Sequence, residues 1–254
     1  MRTTLLHGLL GAVLLLASCS SSEDEPLLTA DHGNIELSIT PSTAFTRAVT
    51  EGDYANTANY TVEIWQGETK KQSFKYSEKP ATITLVNGSY EMKAYYGKEE
   101  AASRTTFLVT GSMPFTMQGK DLPVSVNCAP TCGKLVVKFD KTSMDKHFSN
   151  YYVVYETEAL KAAKGNCIWN KDDTDPWYVK LNPAGEEVKA TIHYVRKSDN
   201  KEQSQLVTFN RKPNQKWTLN ISPKNDSGDL GITITIDEST NDKDVTIDIP
   251  SEWL

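Results

Sequence analysis

From residue 33 onward, apolar and polar positions alternate one by one, the pattern of strands with one face in a core and the other in water. Ile35, Leu37 and Ile39 are separated by Glu36 and Ser38, and Tyr60, Val62 and Ile64 by Thr61 and Glu63. Ile83 and Leu85, then Asn87-Gly88, then Tyr90, Met92, Ala94 and Tyr96 read as a hairpin, because Asn-Gly tolerates the positive φ of a primed turn. Val124, Val126 and Cys128 predict another strand. Pro130 and Gly133 interrupt the alternation before Leu135, Val137 and Phe139 resume it, and that break is the expected domain boundary. Further strands are expected on Val153 and Tyr155, on Val188, Ala190, Ile192 and Tyr194, on Val207 and Phe209, and on Trp217, Leu219 and Ile221. Two more follow on Ile232, Ile234 and Ile236 and on Val245, Ile247 and Ile249. A single helix is predicted over 156–164, where Ala and Leu concentrate. The expectation is an all-β chain of two tandem antiparallel β-sandwich domains, 33–129 and 130–254.

The first 32 residues depart from this alternation. Arg2 precedes an apolar run over 5–16, and Leu16-Ala17-Ser18-Cys19 closes it in front of a polar, acidic stretch containing Glu23, Asp24 and Glu25. A spanning helix needs about 20 consecutive apolar residues. The shorter run with small residues at its end reads as an export signal over 1–18. The Leu-Ala-Ser-Cys order resembles a bacterial lipobox, which makes Cys19 the lipidation site and 19–32 an acidic tether. A lipid there anchors the chain to a membrane without crossing it, at about 0.8 kcal/mol per buried methylene.

Charge and composition then remove several function classes. The formal net charge is −6, one unit more negative without Arg2, which makes nucleic acid an unsuitable partner. Cys128, Cys132 and Cys167 are an odd set in an exported chain; a short Cys128–Cys132 bridge stays open, but the count does not describe a disulfide scaffold. His32, His147 and His193 lie at no ligand-like spacing, so no metal site and no cofactor are expected. No Gly-x-Ser-x-Gly elbow, His-Glu-x-x-His helix or phosphate loop occurs, and the chain reads as non-enzymatic. Asn170, Asp172, Asp173 and Asp175 concentrate oxygen ligands as a calcium loop would. They lack the turn glycine and distal Glu of an EF-hand, and read better as a polar loop capping its own turns. Trp169, Trp177 and Tyr178 flank that loop, and aromatic faces beside carboxylates suit sugar binding, so the three are the candidate glycan residues, set against a reading in which Trp177 plugs the edge of a core. Trp65, Trp217 and Trp253 occupy strand positions and read as core or rim. Arg47, in Thr46-Arg47-Ala48, stands in a polar linker after the first predicted strand, where trypsin-like cleavage is favoured. Removal of everything up to Arg47 would take away the strand of Ile35, Leu37 and Ile39 and open a groove of unpaired backbone groups that another subunit's strand could fill.

The leader, Thr46-Arg47-Ala48, the run 60–65, Gly88-Ser89-Tyr90, the stretch 94–97, the stretch 130–133, Asn170 to Trp177 and the run 231–236 together resemble a Bacteroidales surface lipoprotein family of unassigned function. The likeness covers essentially the whole mature chain. More distantly, two sandwich units behind a lipobox and a Thr-Arg-Ala sequence are similar to the fimbrillin superfamily. That resemblance implies a transthyretin-like first sandwich, outer-membrane lipid anchoring at the cell surface, cleavage after an Arg and assembly with pilin-like subunits by strand exchange. The expected function is a structural or adhesive surface subunit, with a glycan-binding lipoprotein that recognises polysaccharide as the alternative.

Overall fold

The computed structural model describes residues 31–42, 45, 52–226, 229–237 and 245–247. In chain order the strands are β1 (His32–Pro41), β2 (Thr61–Gln66), β3 (Thr69–Lys75), β4 (Ile83–Val86), β5 (Gly88–Gly97), β6 (Ala102–Ser103), β7 (Leu108–Met117) and β8 (Leu122–Pro130). They continue as β9 (Cys132–Phe139), β10 (Phe148–Glu156), β11 (Cys167–Asn170), β12 (Trp177–Lys180), β13 (Glu186–Arg196), β14 (Glu202–Arg211), β15 (Lys216–Asp226), β16 (Asp229–Asp237) and β17 (Val245–Ile247). Three short helices interrupt them: α1 (Gly52–Ala55), α2 (Lys141–His147) and α3 (Glu158–Ala163). The chain is all-β, as its alternation predicts.

The first sheet has the order β3-β2-β5-β7-β8-β1-β4. β8 joins its two parts: its length pairs with β1, while only Ala129 and Pro130 reach Thr110 and Val109 of β7. The remaining strands form a four-stranded sheet, β11-β10-β13-β14, and a six-stranded sheet, β17-β16-β15-β9-β12-β6. Two ladders, β1 with β8 and β9 with β15, run parallel where antiparallel pairing was expected throughout. Buried side chains fall into two apolar clusters. One gathers residues between Ile35 and Cys128, together with Cys132 and Tyr178; the other runs from Leu135 to Ile236.

The Asn87-Gly88 hairpin is corrected by the pairing. β4 pairs with β1, whereas β5 lies between β2 and β7, so the two strands share no ladder. Gly88 has φ +151, and a Cβ there would lie 2.8 Å from Gln66 Nε2, so the corner needs glycine. Asn87 N–H donates to Asp31 O (2.8 Å). The chain thus turns a corner of the sandwich, and Ile83 and Leu85 meet Tyr90, Met92 and Ala94 in the same core from different strands of the sheet. Alternation specifies which face is buried and leaves the hydrogen-bonded neighbour open.

The predicted helix is α3, set by capping. Thr157 accepts from Leu160 N–H (3.2 Å) at its start, and Lys164, at φ 52, ends it in the left-handed region. Trp217 is fully buried and Trp65 partly buried, as read; Trp253 lies outside the described residues. Gly133 permits the Trp217 placement, since a Cβ there would come within 2.3 Å of the indole.

Candidate functional site

Two regions carry the residues that the sequence singled out. The first is β1. Its inward residues Ile35, Leu37 and Ile39 are buried, while Glu36, Ser38 and Thr40 are exposed. Parallel pairing with β8 extends over seven residues, from Ile35 opposite Leu122 to Pro41 opposite Cys128, and Ser42 N–H adds a bond to Cys128 O (2.7 Å). On its other side β4 covers only His32 to Ile35. Past that point the Leu37 carbonyl accepts from the Tyr76 hydroxyl and the Lys79 ammonium, both at 3.4 Å. Gly33 lets the strand start close to the Lys120 carbonyl, where a Cβ would be only 2.4 Å away. Asp121 then accepts from Asn34 N–H (2.9 Å), and Asn34 Oδ1 accepts from Thr84 Oγ1 (2.8 Å). A groove of about 450 Å³ opens along β1, with Glu36, Lys79, Thr82 and Asp121 on its walls. β1 is therefore an inner strand of its sheet, although it is the first strand described. Arg47 and Cys19 lie outside the described residues, as do the signal segment and almost all of the tether.

The second region is the acidic aromatic loop. Trp169, on β11, is 1% exposed and belongs to the second core; Tyr178, on β12, is 2% exposed and belongs to the first. Tyr178 packs against Phe107 (4.5 Å between centroids) and Phe45 (5.9 Å), and Phe107 stacks on Tyr54 at 3.8 Å. Trp177 is partly buried and donates from Nε1 to Ile168 O (3.0 Å). The structure thus sets two of the three rings into different cores rather than side by side at the surface.

The loop is organised around Arg104, a residue that sequence reasoning passed over. Arg104 Nη2 donates to Asp173 Oδ2 (2.5 Å) and to Ile168 O (3.2 Å), and Nη1 donates to Asp175 O. Its guanidinium lies 4.4 Å from the Trp177 ring centroid and 5.2 Å from that of Trp169. Asp173 Oδ2 also accepts from Asn170 N–H (2.8 Å), and Asp172 pairs with Lys141 (2.6 Å). Of the side chains that resembled calcium ligands, the Asp172 and Asp173 carboxylates are each engaged by a cation of the chain itself. Among the described residues no group of three or more His, Cys, Asp or Glu is placed to hold a metal ion. The sequence signal that could have found Arg104 is indirect: four oxygen-bearing residues crowded beside two tryptophans call for a planar cation.

Arg104 arrives there because the chain between β5 and β7 leaves the first sheet. Ala102 and Ser103 pair with Val179 and Tyr178, Lys180 N–H donates to Ala101 O (3.0 Å), and Lys180 Nζ meets Glu99 (2.7 Å). β6 is thus an edge strand of the six-stranded sheet contributed from within the first half of the chain.

Cys128 and Cys167 are free thiols, so Cys128 is not bridged to Cys132. Cys128 Sγ donates to Ala94 O (3.6 Å), and burial pushes its pKa up to about 11; burial also raises that of Cys167 to about 12, against a lowering by Arg104. Both thiols are expected to resist a disulfide-exchange reagent at about pH 8 in the native chain and to react at once in denaturant, because the thiolate is the attacking species. Rapid native labelling at either position, read by peptide mass, would contradict this placement.

Residues 31–251 match a family model whose description is Domain of unknown function (DUF4493). The chain belongs to this family. No curated protein matches the chain. Solved structures similar to this DUF4493 chain include a fimbrial assembly protein from Parabacteroides distasonis ATCC 8503, with 9% identity, 85% of this chain and 98% of that chain covered, and a TM-score of 0.45. A candidate adhesin from Bacteroides ovatus has 9% identity, covers 87% of this chain and 99% of its own, and has a TM-score of 0.46. A candidate polysaccharide-binding protein from Bacteroides thetaiotaomicron VPI-5482 has 10% identity, coverage of 81% and 95%, and a TM-score of 0.38.

Proposed function

We propose that this chain is a non-enzymatic, structural or adhesive subunit of the bacterial surface, whose precursor is held to the outer membrane by a lipid on Cys19 and matured by cleavage after Arg47. The observation that carries this reading is the position of β1. A strand that lies upstream of Arg47 in sequence sits between β8 and β4, with three apolar side chains in the first core. Were cleavage to release it, the β8 edge would lose seven residues of pairing, and a strand from another subunit would satisfy the same backbone groups. The two apolar clusters support a division into two sandwich units near Cys128 and Cys132. The partner we favour is a protein strand rather than a polysaccharide, because Trp169 and Tyr178 are core residues and the Trp177 ring carries Arg104.

The test is Arg47→Ala in the native host. The unaltered chain should yield a product beginning at Ala48 and high-mass ladders, and the variant should yield neither. Equal ladders from both, or a single unprocessed species from both, would remove the basis of the reading. A fatty-acid probe that labels the unaltered chain but not Cys19→Ala checks the anchor independently.

A further inference from the structure

Six strands end the three sheets, and among the described residues five of them are blunted against further pairing. β3 carries exposed Lys70, Lys71 and Lys75, and its register with β2 shifts at Ile64 and Trp65. β4, β6 and β17 span four, two and three residues. β11 has four residues, and its Ile168 carbonyl already accepts from Trp177 and Arg104. Lysines, bulges, short length and side-chain caps are the usual protections of a sheet edge.

β14 lacks the first three of them. It pairs with β13 over ten consecutive residues without a register shift. Residues 203–210 contain no charge, no proline and no glycine. Leu206 is 50% exposed on the outer face, while Val207 and Phe209 point inward against the second core. Two of the strand's carbonyls accept from its own side chains, which an incoming strand would have to displace: Leu206 O from Gln205 Nε2 (3.0 Å) and Asn210 O from Arg211 Nη1 (2.7 Å).

We propose that β14 is a dimerisation edge, which pairs antiparallel with β14 of a second copy of this chain about a two-fold axis at Leu206 and joins two four-stranded sheets into one of eight. The occupant follows from charge and length. A matching strand must be uncharged and about as long, and every other described strand that ends a sheet is short or lysine-bearing. A two-fold axis sets the uncharged run on itself. With Leu206 on the axis, Gln205 meets Val207 of the copy, Ser204 meets Thr208, Gln203 meets Phe209 and Glu202 meets Asn210. Every pair is of one parity, so both cores stay on the same side of the joined sheet, and no like charges oppose each other between 202 and 210; only at the seam's ends does Arg211 come opposite Lys201 of the copy. About eight inter-strand hydrogen bonds form along the seam. The inference does not rest on cleavage at Arg47, and the Arg47→Ala chain should dimerise equally.

The test uses the full-length chain carrying Cys19→Ala, in which the cysteines between 128 and 167 are buried. Light scattering from about 1 to 200 µM should show a concentration-dependent dimer. Leu206→Cys should cross-link to its copy under mild oxidation. Thr208→Cys should not, since its counterpart lies on the order of 13 Å along the strand, beyond disulfide reach. Leu206→Lys sets two ammonium groups face to face and should give a monomer at every concentration with an unchanged circular dichroism spectrum. A monomeric unaltered chain over the whole range, cross-linking of Thr208→Cys as fast as Leu206→Cys, or an unaffected dimer in Leu206→Lys would each overturn the proposal.

Discussion

Leu37→Asp is expected to unfold the first sandwich unit. Leu37 is 3% exposed and pairs opposite Val124, in the row that Ile35 and Ile39 continue. Truncating such a leucine to alanine costs about 2–5 kcal/mol, and placing an unpaired carboxylate in the same space adds several kcal/mol more. A domain of this size is held by about 5–15 kcal/mol in all. Loss of the near-ultraviolet signal from the aromatic cluster of Tyr54, Tyr60, Tyr96 and Phe107 is the measurement. Glu36→Lys, one residue earlier and exposed, should stay within about 0.5 kcal/mol of the unaltered chain. A folded Leu37→Asp chain with an ordinary melting temperature would mean that β1 does not hold the core, and the strand-exchange reading would lose its physical cause.

That contrast between neighbours is also what the sequence made legible. Period-two alternation identified β1, β2, β5, β8 to β10 and β13 to β17; in β1, β10 and β13 it marks a buried face and a more exposed one. It missed β3, whose pattern is broken by Lys70 and Lys71 at an edge, β7, whose middle residues are exposed in succession, the four-residue β11 and β12 beside the acidic loop, and β6, which is two residues long and exists only through its pairing with β12. It paired β4 with β5 because Asn-Gly between two apolar runs is the same signal in a hairpin and at a sandwich corner. Long-range partners are not encoded locally: the parallel β1–β8 and β9–β15 ladders join strands tens of residues apart.

The aromatic loop left two readings open for a related reason. Its composition suited a sugar site as well as a core edge beside a self-capping polar loop, and the structure closes it over Arg104, 69 residues from Asp173. Exposed aromatic rings beside carboxylates and aromatic rings closed over an internal guanidinium have the same local sequence. Only the excursion of residues 98–107 out of the first sheet separates them, and no periodicity marks that excursion.

Arg104→Ala should therefore destabilise the chain by roughly 2–4 kcal/mol. Hydrogen bonds to a charged group contribute about 1.5–3 kcal/mol, and a guanidinium over indole about 0.5–2 kcal/mol. The sum is reduced because the Arg104 and Asp173 side chains remain 23% and 28% exposed, and because Asp173 keeps its bonds from Asn170 after the arginine is gone. Arg104→Lys should recover less than half of the loss, since an ammonium cannot reach Asp173, Asp175 and Ile168 together as a planar fork does. Arg104 comes from one half of the chain and its acceptors from the other, so its removal should act on cooperativity as well as on stability. Scanning calorimetry of the unaltered chain should give one transition, and of Arg104→Ala two, with the first at lower temperature. A single transition shifted by less than about a degree would show that the edge pairing of β6 and the Tyr178 aromatic cluster couple the two cores without this residue.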